Sequence, residues 1–91
     1  MDRSYYKIAD ICNSNKIEIS LVKQLHENNL IKIVILDTHE FIHEDELIYL
    51  EKYANWYYEL ELNIQGIEIV KNLVDQIKYL QDEIKNIRNS S

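Results

Sequence analysis

Leu62-Asn63-Ile64-Gln65-Gly66-Ile67-Glu68-Ile69-Val70 leads into an uninterrupted stretch that ends near Arg88. It holds the one glycine of the chain, Gly66, placed where a new helix is expected to open. Beyond it, Val70, Leu73, Ile77, Leu80, Ile84 and Ile87 recur at alternating three- and four-residue steps. That is an a/d seam about three heptads long, the pattern of a helix that pairs along its length. A helix over residues 66–88 would span roughly 33 Å at 1.5 Å per residue. So small a protein cannot bury such a seam against itself. Residues 63–91 therefore read as a dimerisation helix, and residues 1–62 as the domain that carries it.

Working back from the seam, residues 44–62 read as a third helix whose apolar residues cover more than one stripe. Leu47, Leu50, Ala54 and Tyr58 lie on one side, Tyr49, Tyr53, Tyr57 and Leu60 on its neighbour, with Trp56 besides. Packing on one small domain uses one stripe. The second implies either a fully buried central helix or a further protein contact. Upstream, residues 31–36 are β-branched and apolar, Asp37-Thr38 can turn, and Glu40-Phe41-Ile42 can return, which makes a small hairpin, or wing. Residues 5–13 read as a helix with Ile8, Ile11 and Cys12 on one face, and residues 13–15 as a polar break. Ile19, Val22, Leu25 and His26 follow at helical spacing up to Asn28-Asn29, where Asn29 suits a left-handed C-cap. The fold class is mainly α: a winged helix-turn-helix with a small β-hairpin and a long C-terminal dimerisation helix. Residues 86–91 are expected to fray.

The 91 residues carry a net charge of −6, and all of the excess falls in residues 31–62. There Asp37, Glu40, Glu44, Asp45, Glu46, Glu51, Glu59 and Glu61 face only Lys32 and Lys52. Such a field repels phosphate and attracts basic protein surfaces. Glu44, Asp45 and Glu46 also favour the positive end of the helix that starts beside them. The single cysteine, Cys12, excludes an intrachain disulfide and reads as a core residue. With no signal-like apolar run and no membrane-length segment, the expected location is the cytoplasm.

His39-Glu40-Phe41-Ile42-His43 fits H-E-x-x-H, the zinc-protease signature. That chemistry needs both histidines on one helical turn, near enough to share a Zn²⁺ at about 2.0–2.1 Å. In a strand, residues four apart stand about 13 Å from each other, so the match reads as chance. No phosphate loop, nucleophile elbow or cysteine pair accompanies it. The sequence therefore points to a binding protein rather than an enzyme, with no metal and no cofactor. DNA binding is the rival. It needs cations for phosphates and polar or Arg side chains for base edges. The second helix sets Lys16 and Lys23 against Glu18 and Glu27, and the wing carries Asp37 and Glu40.

These elements, in this order, resemble the CbpM-type chaperone modulators, small MerR-like proteins. The family pattern E-L-x-L-N-x-x-G-I stands here as Glu59-Leu60-Glu61-Leu62-Asn63-Ile64-Gln65-Gly66-Ile67. The pattern D-x-I-x-x-L-x-x-E stands as Asp75-Gln76-Ile77-Lys78-Tyr79-Leu80-Gln81-Asp82-Glu83. Where DNA-binding members carry Arg-Tyr-Tyr, this chain has Lys23-Gln24-Leu25. It also departs from familiar members at Trp56-Tyr57-Tyr58, where some carry basic residues. The resemblance implies a module that binds the J-domain of a DnaJ/CbpA-like co-chaperone and inhibits its stimulation of the Hsp70 chaperone DnaK. It also implies an antiparallel homodimer, built here on Val70, Leu73, Ile77, Leu80, Ile84 and Ile87. The candidate partner-binding residues are Asp37, Glu40, Glu44, Asp45, Glu46, Tyr49, Tyr53, Trp56 and Tyr57. The alternative is a MerR-like DNA-binding transcriptional regulator.

Overall fold

The structure, a computed structural model, describes residues 4–90. In chain order it comprises β1 (Tyr5–Lys7), α1 (Ile8–Asn15), α2 (Ile19–Glu27), β2 (Val34–Leu36), β3 (His39–His43), α3 (Glu44–Glu59) and α4 (Ile64–Ser90). This is the expected helical fold with its hairpin, enlarged by one strand. Residues 5–7, expected as the first turn of a helix, instead pair antiparallel with β3, Tyr5 opposite His43 and Lys7 opposite Phe41. Their β-compatible Tyr-Tyr start is captured by the free edge of β3, so the sheet order is β1-β3-β2.

With glycine available only at position 66, the chain ends its helices with other residues in the left-handed region. Lys16, at φ 55°, closes α1, so the break falls after Asn15 rather than across residues 13–15. Asn29, at φ 60°, closes α2 as expected. The N–H of Leu30 bonds the Leu25 carbonyl at 2.9 Å and that of Asn29 bonds the His26 carbonyl at 3.0 Å. These two bonds, with Leu25 and Leu30 both buried, form a Schellman cap. Asp37 and Thr38 both take positive φ, the two-residue hairpin turn whose twist matches its strands. Glu61, at φ 55°, lies just beyond α3, which stops at Glu59 rather than at residue 62.

α4 opens at Ile64, two residues before Gly66. Asn63 accepts the Gly66 N–H through Oδ1 at 2.8 Å, an N-cap that fixes the start. Gly66 therefore lies inside the first turn, without positive φ. A Cβ there would stand 3.2 Å from that same Oδ1, a close approach that suits glycine. α4 continues to Ser90, about 40 Å of helix; Ser91 lies outside the described residues.

One core joins all the helices and the sheet. Ile8 and Cys12 of α1, Leu21, Val22 and Leu25 of α2, Ile42 of β3, and Leu50, Tyr53 and Ala54 of α3 meet Ile64 and Ile67 of α4. Ile19 was expected on the buried face of α2 but is 50% exposed; Leu21 takes that place. From Asp75 onward every described side chain of α4 is exposed, Ile77, Leu80, Ile84 and Ile87 among them, and Leu73 just before is exposed as well.

Candidate functional site

α3 is the platform, fastened at both ends. At its start the His43 Nδ1 accepts the Asp45 N–H at 3.1 Å, capping the helix. Glu46 accepts the Lys32 N–H at 2.7 Å, tying the first turn to the segment before β2. Near its end the Tyr58 hydroxyl accepts the Glu18 N–H at 2.9 Å, joining α3 to the start of α2 across 40 residues. The acidic first turn, Glu44 to Glu46, complements the positive end of the helix.

The candidate partner-binding residues separate by burial. Tyr53 is 1% exposed, the largest of the fully buried side chains, so it belongs to the core and not to a surface. Burial pushes its phenol above the ordinary tyrosine value, and the Asp75 carboxylate of α4 pushes it further. Trp56 and Tyr57 are half-buried and pack on the core. Tyr49 is exposed and stacks on Tyr53 with ring centroids 6.3 Å apart. Lys52 covers this edge, its Nζ 5.5 Å from the centroids of both Tyr49 and Trp56. Beside them a groove of about 410 Å³ runs between residues 29–32, α3 and α4. Lys32, Lys52 and Lys71 share it with Glu46 and Asp75, and Lys71 pairs with Asp75 at 3.2 Å. α3 is thus buried along a narrow strip, Leu50, Tyr53 and Ala54, while Tyr49 and Tyr58, one from each stripe, stay exposed.

The candidate acids come from the hairpin and from the first turn of α3. Asp37 sits in the hairpin turn, Glu40 on β3, and Glu44 and Asp45 exposed on the first turn of α3. A further acidic stretch lies at the far end of α3, where the candidate partner-binding residues include Tyr57 but none of the carboxylates. Two depressions, of about 370 and 420 Å³, flank Tyr58. Glu51 and Glu59 line the first and Glu61 the second, and no cation lines either. The signal was available: the last turn of α3 holds no basic residue.

The helix-turn-helix and wing carry no excess of cations. Over residues 7–43, Lys7, Lys16, Lys23 and Lys32 are outnumbered by Asp10, Glu18, Glu27, Asp37 and Glu40. His26 lies at an exposed core edge, its Nδ1 accepting the Ile33 N–H at 3.3 Å. His39 and His43 stand at the two ends of β3, about 13 Å apart in a strand, so the H-E-x-x-H segment cannot present both to one metal ion. Among the described residues no helix is long and apolar enough to cross a membrane.

A helix-turn-helix pair, a wing, a third helix packed beneath them and a long helix leaving the core define a regulatory domain of a known kind. The chain belongs to the MerR helix-turn-helix family: the family model described as MerR HTH family regulatory protein matches residues 6–89. No curated protein and no solved structure matches it.

Proposed function

We propose that this MerR-family chain is a chaperone modulator. In this reading it binds the J-domain of a DnaJ/CbpA-like co-chaperone in the cytoplasm and inhibits that protein's stimulation of the Hsp70 chaperone DnaK. The observation that carries the reading is the charge of the helix-turn-helix and wing, residues 7–43, where five carboxylates outnumber four lysines. Phosphate contacts supply most non-specific DNA affinity and much of the specific affinity, and they need the opposite balance. A J-domain offers a basic helical face, to which an acidic surface with apolar anchors is complementary. Charge there speeds encounter and selects partners, while buried anchors hold the complex.

The reading also draws on the E-L-x-L-N-x-x-G-I resemblance, whose residues build the α3–α4 joint. Asn63 caps α4, Gly66 admits the cap, and Ile67 is fully buried. In the same proposal two copies pair antiparallel through Val70, Leu73, Ile77, Leu80, Ile84 and Ile87 of α4. In that sense Val70 meets Ile87, Leu73 meets Ile84 and Ile77 meets Leu80.

The family match itself favours a second reading, a DNA-binding transcriptional regulator. Calorimetric titration with a cognate J-domain, beside a gel shift with duplex DNA at equal salt, separates the two. Micromolar or tighter J-domain binding that weakens with salt is the expected result. No detectable complex, with salt-dependent retention of duplex DNA, would refute the first reading in favour of the second.

A further inference from the structure

We propose that the C-terminal end of α3 is a docking surface for a lysine- and arginine-rich amphipathic helix of a partner protein. Two large apolar side chains stand out there: Tyr58 is 42% exposed and Leu60, just past the helix, is 60% exposed. Tyr58 lines two depressions, one shared with Glu51 and Glu59 and the other with Tyr57 and Glu61, and Leu60 stands in the chain between Glu59 and Glu61. An apolar anchor with concave neighbours, rimmed by one sign of charge, is the anatomy of a binding hot spot.

The charges are where folding alone would not put them. The end of a helix carries partial negative charge and favours cations, yet the last turn of α3 has none, and Glu59 and Glu61 add two anions. A cationic partner reverses that penalty on binding. By contrast, the groove at the other half of α3 already holds Lys32, Lys52 and Lys71, which oppose a basic ligand. No strand residue lines either depression, so an incoming segment gains no main-chain pairing, and a helix that presents cations and apolar residues on one face fits best.

The surface stands on geometry of its own; naming a J-domain as the occupant rests on the function proposed above. The test uses the full chain with two probes: a cognate J-domain and a synthetic amphipathic lysine–leucine helix. Leu60→Ser removes an exposed anchor outside α3 and leaves the fold intact, as circular dichroism checks. It should weaken both probes roughly tenfold through faster dissociation. Glu59→Lys with Glu61→Lys should slow association and flatten its salt dependence. Glu44→Lys with Asp45→Lys acts at the opposite end of a 16-residue helix, about 22 Å away and beyond the roughly 8 Å screening length, and should change affinity less than about threefold.

J-domain binding that ignores Leu60→Ser and the Glu59/Glu61 reversals overturns the docking surface and leaves the functional reading standing. Leu60-dependent capture of the peptide with no J-domain binding supports the surface and overturns that reading. Binding of neither probe overturns the surface. Loss of wild-type self-association in Leu60→Ser, seen by sedimentation, would assign the patch to a second copy of the chain and overturn it equally.

Discussion

Tyr53 and Tyr49 are four residues apart on α3, share an aromatic stacking contact, and do different work. Spacing alone placed both on one stripe; burial separates them. Tyr53→Ala should cost about 3–5 kcal/mol, because it removes a whole aromatic ring from the core, whereas Tyr49→Ala should cost under about 1 kcal/mol. Urea unfolding of both variants measures the difference. Tyr53 and Cys12 share a second property: burial raises the folded-state pKa of each, with Asp75 adding to the effect at Tyr53. A raised pKa means that the folded chain holds the proton more tightly than the unfolded chain. The associated stability is complete below the unfolded value and is lost as pH rises through the folded one. Stability should therefore decline from about pH 9 upward, where unfolded thiol and then phenol ionise, and stay unaffected by these groups at neutral pH. Chemical denaturation at pH 7, 9 and 10.5 tests the sign. Alkylation of Cys12 should be slow at neutral pH and accelerate on unfolding.

The start of α4 shows why an element boundary can be hidden by its most visible residue. Gly66 draws the eye as the only glycine, yet Asn63 sets the boundary through its side-chain cap. The two are coupled, since a Cβ at 66 meets the capping oxygen at 3.2 Å. Asn63→Ala should destabilise by about 1 kcal/mol. Gly66→Ala gains helix propensity worth about 1 kcal/mol but crowds the cap, so its net effect should be small. With the cap already removed, the same substitution should recover the full gain. A double-mutant cycle that turns out additive would refute this coupling. The strand at residues 5–7 is likewise invisible to local pattern. Whether Tyr5-Tyr6-Lys7 forms a strand depends on an edge supplied by β3, more than thirty residues away.

At the scale of the molecule, the long helix is the unresolved demand. The chain measures 53 × 33 × 21 Å, and the long axis suits an α4 of about 40 Å that runs on beyond the core. Its first turn is core, through Ile64 and Ile67, and its second half presents apolar residues to solvent. Leu80→Asp should abolish the pairing proposed for this seam, because it would bury a charge there. Sedimentation velocity showing an unchanged dimer would refute the seam assignment. The variant should remain folded, since Leu80 makes no contribution to the core of its own chain.

Periodicity and punctuation were enough to read the helix-turn-helix, the wing and its Asp37-Thr38 turn, the Asn29 cap and the long helix α4. These depend on local spacing and on the backbone preferences of single residues, which a linear chain displays directly. The third strand, the burial of Tyr53 and the depressions beside Tyr58 were decided by tertiary contact. Each depends on what lies opposite a side chain: an open strand edge, a neighbouring helix, a carbonyl or solvent. Charge counting located the acidic middle of the chain but not which of its carboxylates border a depression, because a depression is made by segments distant in sequence, as where Asn15 and Ile17 meet Glu51 and Glu59 of α3.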